Sequence, residues 1–444
     1  MSPSYVAVLS HPGAARAFGF ALLGRLSYGT VFLSLTLALT ATAGSYALAG
    51  GVLALFGLAV SVLSPVRAWL VDRYGPRRAL PPMAGLYAAL LGCLAVLTWQ
   101  PGAPWWLLAV LAAAAGGCSP PLGPVMRTLW SDLLGDQRLL QRAYSLDTVA
   151  EELLYIAGPL LAGLVAVVVD PAAGVAMSAC LVATGTFALV TSPAMRPGAA
   201  PAAARRRERG PGVRALFTPV VVAAALGLCL GALTLLVVVF AQRQQQPAAV
   251  AWVEAALSAG SAAGGLAYGA IAWRASGAVR LRLLAAALGL AVAAAGAVPN
   301  LAGLAGAAAV AGLFVAPALT TAYLLADELA GPRNRTQAGA WVNTAFNAGN
   351  SLGTAGAGLV VERLPLEWCF ALAGAPLLLV AIITSPRPRR DVTACCRPSP
   401  LPAPSSCPPR CPARARRARR PARPPRSRWP GPARSPGRRS AGSP

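Results

Sequence analysis

At 444 residues the chain is 56% hydrophobic and only 12% charged, with a mean hydropathy of +0.59, which excludes an ordinary soluble globular protein and describes a polytopic membrane protein. A net charge of +24 would point to nucleic acid in a soluble chain, but here most basic residues either follow Ser385 or occupy alternate turns between apolar runs. Lysine is absent, so every basic group is Arg.

A crossing helix needs about 20 mainly apolar residues, so the apolar length from residue 16 to 383 holds about twelve spans. The first six are predicted at 16–39, 46–65, 82–98, 105–127, 143–169 and 172–190, within an N-terminal bundle of residues 1–192. Ala41-Thr42-Ala43 imitates a signal-peptidase site, yet the run before it is too long and contains Arg25. Residues 193–214, Pro/Ala/Gly-rich with Arg205-Arg206-Arg207-Glu208-Arg209, read as a basic linker that no bilayer would hold. The second bundle, 215–385, has predicted spans at 217–240, 250–273, 279–297, 301–325, 337–361 and 368–383. The fold expected is therefore an all-α integral membrane protein of two pseudo-symmetric six-helix bundles.

The tail, 386–444, is Arg, Pro, Ser and Ala with almost no acids and cannot fold alone. Anionic lipid head groups are its expected partner, with non-specific RNA binding or a poorly selected extension as the alternatives and no specific nucleic acid implied. Cys395, Cys396, Cys407 and Cys411 are spaced too irregularly to argue for zinc. The five other cysteines, Cys93, Cys118, Cys180, Cys229 and Cys369, lie in apolar spans and imply no disulfide framework.

Orientation follows from the arginines. With the N-terminus in the cytoplasm, Arg73, Arg77, Arg78, Arg138, Arg142, the linker, Arg274, Arg280, Arg282, Arg333, Arg335 and the tail share one side, leaving Arg243 and Arg363 opposite. A plasma-membrane protein with both termini cytoplasmic is expected. The halves also share an internal pattern. Pro121 to Asp132 to Val165 and Pro317 to Glu328 to Val360 each run from a helix proline through an acid and an Arg-bearing turn to a helix ending Ala-Gly-Leu-Val. In that register Asp147 and Glu151 match Asn343 and Asn347, as parallel repeats would.

Ala68-Trp69-Leu70-Val71-Asp72-Arg73-Tyr74-Gly75-Pro76-Arg77-Arg78 resembles the signature between the second and third helices of the major facilitator superfamily, with Ala68 for its leading Gly. Gly158-Pro159-Leu160-Leu161-Ala162-Gly163 is similar to half of the element that marks the drug-efflux branch; the alternative is a kinked packing face built on Gly158, Pro159 and Gly163. The resemblance implies a secondary transporter working by alternating access, as a monomer, on a small-molecule substrate, with protons as the coupling ion and efflux as the favoured direction. Uptake or facilitated diffusion is the runner-up, and a non-transporting receptor or scaffold the reading from another class. It also implies that Asp72 docks on the N-terminal end of span 11 near Thr336 to Gly339, and that Arg73 or Arg77 pairs with Asp132. The chain departs from the efflux pattern in span 4, whose first arginine, Arg127, is expected at the cytoplasmic end.

Ionisable groups inside a bilayer are functional candidates by default. Arg25 and Tyr28 in span 1 either line a water-filled path or, for Arg25, snorkel to the surface. Asp147 and Glu151 stand i and i+4 on one helix face; Glu151 and its neighbour Glu152 are too deep to be mere helix caps. One of these acids carries a proton, or one pairs with Arg25. The matching face of span 11, Asn343, Asn347 and Asn350, hydrogen-bonds without titrating. No enzyme constellation is present: His11 is the sole histidine, and a phosphate-binding loop cannot be built without lysine. Neither a metal nor a cofactor is implied.

Overall fold

Apolar runs this long must satisfy their own backbone in lipid, and the helix is the local way to do it. The structure, a computed structural model, describes residues 5–43, 46–99, 102–195, 216–246, 249–331 and 333–384, and among these every regular element is helical. All but the first three residues of the expected linker, and the whole tail with its four cysteines, lie outside the described residues.

A short α1 (Tyr5–Leu9) precedes α2 (Ala14–Ala43), α3 (Tyr46–Val62), α4 (Ser64–Tyr74), α5 (Pro76–Trp99), α6 (Trp105–Cys118), α7 (Leu122–Leu133), α8 (Gln137–Val168) and α9 (Pro171–Thr191). After the linker come α10 (Phe217–Arg243), α11 (Ala249–Ala270), α12 (Gly277–Ala295), α13 (Leu301–Leu329), α14 (Arg335–Val361) and α15 (Leu366–Ile383). Local chemistry sets several starts. Asp136, Asp170 and Asn300 accept from Arg138 N, Ala172 N and Gly303 N at 2.8, 2.7 and 2.8 Å, opening α8, α9 and α13.

Two crossings are broken by proline. Pro65 opens α4 after a bend of 41° from α3, and Ser119-Pro120-Pro121 separates α6 from α7. The expected turn at 66–78 is thus mostly helix: span 2 runs on to Tyr74, and the reversal is confined to Gly75, whose φ of 83° suits glycine.

Among the described residues nine spans are long and apolar enough to cross a membrane, with α3 and α4 together making a tenth. The helices α11 and α14 complete six passes in each half; Gly and Ser in α11, and Gly, Asn and Thr in α14, lower their hydropathy. Packing in the first half is repeated in the second. As α2 packs on α8 and α9, so α10 packs on α14 and α15; as α3 packs on α6, so α11 packs on α13; and as α5 packs on α6 and α9, so α12 packs on α13 and α15. The all-helical, two-bundle expectation is met. The bundles meet where α8 lies on α11 and α13, and α14 on α4 and α7.

Small residues allow the closest of these approaches. A methyl group on Gly158 of α8 would overlap the backbone of Gly29 in α2, whereas one on Gly163 would meet open space.

Candidate functional site

The break in span 4 decides where its arginine goes. Because α7 restarts at Leu122 and runs to Leu133, Arg127 is carried inward and buried, not placed at the end of the span as the sequence suggested. There it meets Arg25 from α2 and the acid face of α8. Arg25 binds Asp147 through Nη1–Oδ1 at 2.6 Å and Glu151 through Nη2–Oε2 at 2.9 Å. Arg127 pairs with Asp147 through Nε–Oδ2 at 3.0 Å, and its Nη2 donates to Glu151. Arg25 and Arg127 are each 3% exposed, and Asp147 is fully buried.

Two cations and two carboxylates thus cancel in a low-dielectric site, which is the condition for keeping such charges buried. Arg25 does not snorkel. Asp147 and Glu151, one helix turn apart, act as a pair of acceptors holding both guanidinium groups. Arg127 also lies over the ring of Tyr323 in α13, 3.6 Å from its centroid. The Tyr323 hydroxyl donates to Asn343 Oδ1 of α14 at 3.3 Å, so the cluster of the first bundle reaches the amide face of the second.

Glu152 is different. Among the described residues no arginine meets it: Ser261 Oγ of α11 donates to Oε1 at 2.5 Å, and Oε2 has no partner. Ser261 Oγ in turn accepts from Ala316 N at 3.2 Å. The acid therefore bridges the bundles through one hydroxyl.

These groups border a cavity of about 720 Å³, reached by Arg25, Tyr28, Arg127, Glu151, Asn343, Asn347 and Asn350. A second space of about 270 Å³ adjoins it, sharing Glu151, Asn343, Asn347 and Asn350 and adding Glu152 and Tyr323. The Tyr28 hydroxyl donates to Pro120 O at the span 4 break. Pro159 sits within α8 beside the Gly158 contact already described.

A second group of contacts lies at the basic end. Asp72 Oδ2 accepts from Gln337 N at 2.9 Å and Oδ1 from Thr336 N at 3.3 Å, placing a carboxylate on the first turn of α14. The hydroxyls of Thr128 and Thr336 are 3.2 Å apart beside it. Asp132 does not pair with Arg73 or Arg77. Its partner is Arg335, Nη1 to Oδ1 at 3.4 Å, and Arg335 Nε also lies 3.6 Å from Asp327. Neighbours on a helix diverge by about 100°, so with Asp72 turned to α14, Arg73 points elsewhere; it lies over the rings of Trp69 and Tyr74. Arg77 and Arg78 are exposed.

The pseudo-symmetric contact is built with the opposite polarity. Gln141 and Arg142 of α8 donate to the last carbonyls of α11, Gln141 to Tyr268 O at 2.8 Å and Arg142 Nε to Gly269 O at 3.0 Å. Among the described residues no side-chain hydrogen bond or ion pair joins the part of α8 beyond Glu152 to the second bundle.

Three contributors were not singled out from sequence: Ser261, Tyr323 and Arg67. For Arg67 a signal exists, since Pro65 two residues earlier marks a break in an apolar run.

A family model described as Major Facilitator Superfamily matches residues 17–272 and 235–395. No curated protein matches the sequence. Among solved structures, the human organic anion transporter TETRAN is similar with a TM-score of 0.63 at 16% identity, over 84% of this chain and 98% of that one. A bacterial homologue of the iron transporter ferroportin in an outward-facing state gives a TM-score of 0.67 at 14% identity, over 83% and 98%. The E. coli fucose:proton symporter gives 0.57 at 15% identity, over 83% and 100%. At such identities the likeness is one of fold.

Proposed function

The chain belongs to the major facilitator superfamily, and on that premise we propose that it is a proton-coupled secondary transporter that moves a small organic molecule by alternating access through the cavity between the bundles. One observation carries the reading. The bundles are joined by side-chain contacts at the basic end and at the level of Glu152, and by none along α8 beyond it among the described residues. Taking the arginine-rich end as cytoplasmic, this is a state latched on the cytoplasmic side.

Glu152 is the acid the proposal assigns to the proton. Asp147 and Glu151 are neutralised by two arginines, whereas Glu152 faces a cavity with no cation and holds Ser261 of the other bundle. Taking up a proton changes what that bridge accepts, which links protonation to the contact between the halves. Export in exchange for protons is the direction proposed, on the likeness of 158–163 to the efflux element; uptake or facilitated diffusion is the alternative.

Proteoliposomes holding the full chain, given an imposed pH gradient and a mixed small-molecule extract, test the proposal with mass spectrometry as readout. The wild type is expected to concentrate at least one compound, and Glu152→Gln to let it equilibrate without accumulation. Accumulation unchanged in Glu152→Gln refutes the proton assignment. The sign of the gradient that drives accumulation separates export from uptake, and a wild type that moves nothing refutes transport and favours the receptor or scaffold reading.

A further inference from the structure

Four charges beside the cavity cancel, Arg25 and Arg127 against Glu151 and the fully buried Asp147. A fifth does not. Arg67 lines the same cavity, is 5% exposed, and makes no ion pair with a carboxylate among the described residues. Burying a guanidinium without an acid is costly, so the site must offset the charge in another way.

The two helix breaks supply the offset. Arg67 Nη1 donates to Gly116 O and Nη2 to Val60 O, each at 2.5 Å. Those carbonyls belong to the last turns of α6 and α3, the negative ends of two helices. This accounts for the tolerance of the cation but uses only two of its five N–H donors. Nε is buried and has no partner. Ser64 and Ser119, one from each break, line the cavity with it. Unwound backbone between half-helices, a fixed cation and hydroxyl donors together form a receptor for an acid group.

Part of the remaining wall is apolar, alongside the polar Asn343, Asn347 and Asn350. Phe32 and Phe56 stack edge to face with centroids 5.2 Å apart, and Val60 continues the surface. We infer that the transported molecule is an organic acid whose anionic group docks on Arg67 between the two breaks while its apolar body lies against Phe32, Phe56 and Val60. The inference rests on the cavity being the transport site. A cationic molecule would face Arg67 in the larger space and find an uncompensated acid only at Glu152 in the smaller one.

The experiment uses an equimolar mixture of benzoate, benzamide, benzylamine and their naphthyl counterparts, so that charge varies on a constant body. Full-length protein in proteoliposomes is offered the mixture, and thermal shift of the purified protein gives the affinity of each member. Preference for the carboxylate of each set is expected, with binding weakened by at least about tenfold in Arg67→Gln and the preference retained in Arg67→Lys. The wild-type preference stands as a test even where Arg67→Gln fails to fold, because that residue also ties two helix ends. The inference is overturned if the amine or amide is favoured, if Arg67→Gln keeps the carboxylate preference, or if no member binds. In each case the transport reading survives as long as the extract assay shows accumulation, so the two failures are told apart.

Discussion

Replacing Asp72 by Asn removes one charge from the start of α14 and leaves the side-chain shape in place. The carboxylate accepts from Gln337 N at 2.9 Å and Thr336 N at 3.3 Å, and α14 has no local substitute because Asn334 makes no capping bond from its own side chain. A carboxylate at a helix N-terminus contributes about 0.3–1 kcal/mol through the dipole, and a hydrogen bond to a charged acceptor about 1.5–3 kcal/mol, part of which Asn retains. Asp72 is only partly buried, and solvent screening lowers the total, so a loss of about 1–2 kcal/mol is expected. That is roughly a 5- to 30-fold shift from closed to open at the basic end. Hydrogen–deuterium exchange reads it directly: the peptide covering 334–340 is expected to exchange faster by about that factor, while α5 is unchanged. Turnover in proteoliposomes is expected to change with it. Unaltered exchange over 334–340 in a normally inserted Asp72→Asn protein would refute the latch and leave the neighbouring arginines with a topological role alone.

Other expectations follow from the same geometry. Asp147→Asn leaves two buried guanidinium groups facing one carboxylate, and a loss of about 3–5 kcal/mol is expected in thermal unfolding of the purified protein; an unchanged melting temperature would show that the cluster is not holding α2, α7 and α8. Gly158→Leu drives a side chain into the Gly29 backbone and is expected to cost about 1–3 kcal/mol or more, while Gly163→Leu on the same helix is close to neutral; equal effects would contradict the packing assignment. Asp132→Ala removes a half-exposed pair with Arg335 and is expected to cost under about 1 kcal/mol, clearly less than Asp72→Asn by the same exchange measurement.

The helices were legible because lipid imposes a length on them: the predicted spans match the observed helices or broken helix pairs, those ending at 169, 273 and 297 overrunning by one to three residues. The docking partner of Asp72 was also accessible, since a carboxylate at the end of one helix suits the amide start of another. What failed were statements about which way a side chain points. Hydropathy places Arg127 at the cytoplasmic end of span 4 because the restart of the helix after Pro120 and Pro121 does not show in it. Asp132 was given to Arg73 or Arg77 by nearness in the motif, whereas Arg335, distant in sequence, is the residue that faces it. Arg67 sits in a stretch that reads as polar turn, and only the bend at Leu63 and Ser64 turns it inward.

The contact of Arg127 with Tyr323 behaves differently from every other tie across the interface. A hydrogen bond is lost once its atoms separate beyond about 3.5 Å, but a cation is attracted to a ring face out to about 6 Å from the centroid and has no preferred azimuth over it. With the guanidinium at 3.6 Å, Tyr323 can slide by an ångström or two without breaking the attraction. The ties at the basic end are brittle and this one is compliant, so under the proposed alternating access it would serve as a bearing on which the halves rock while the charge cluster beneath stays assembled. Exchanging that ring for a carboxylate would convert the bearing into a bolt.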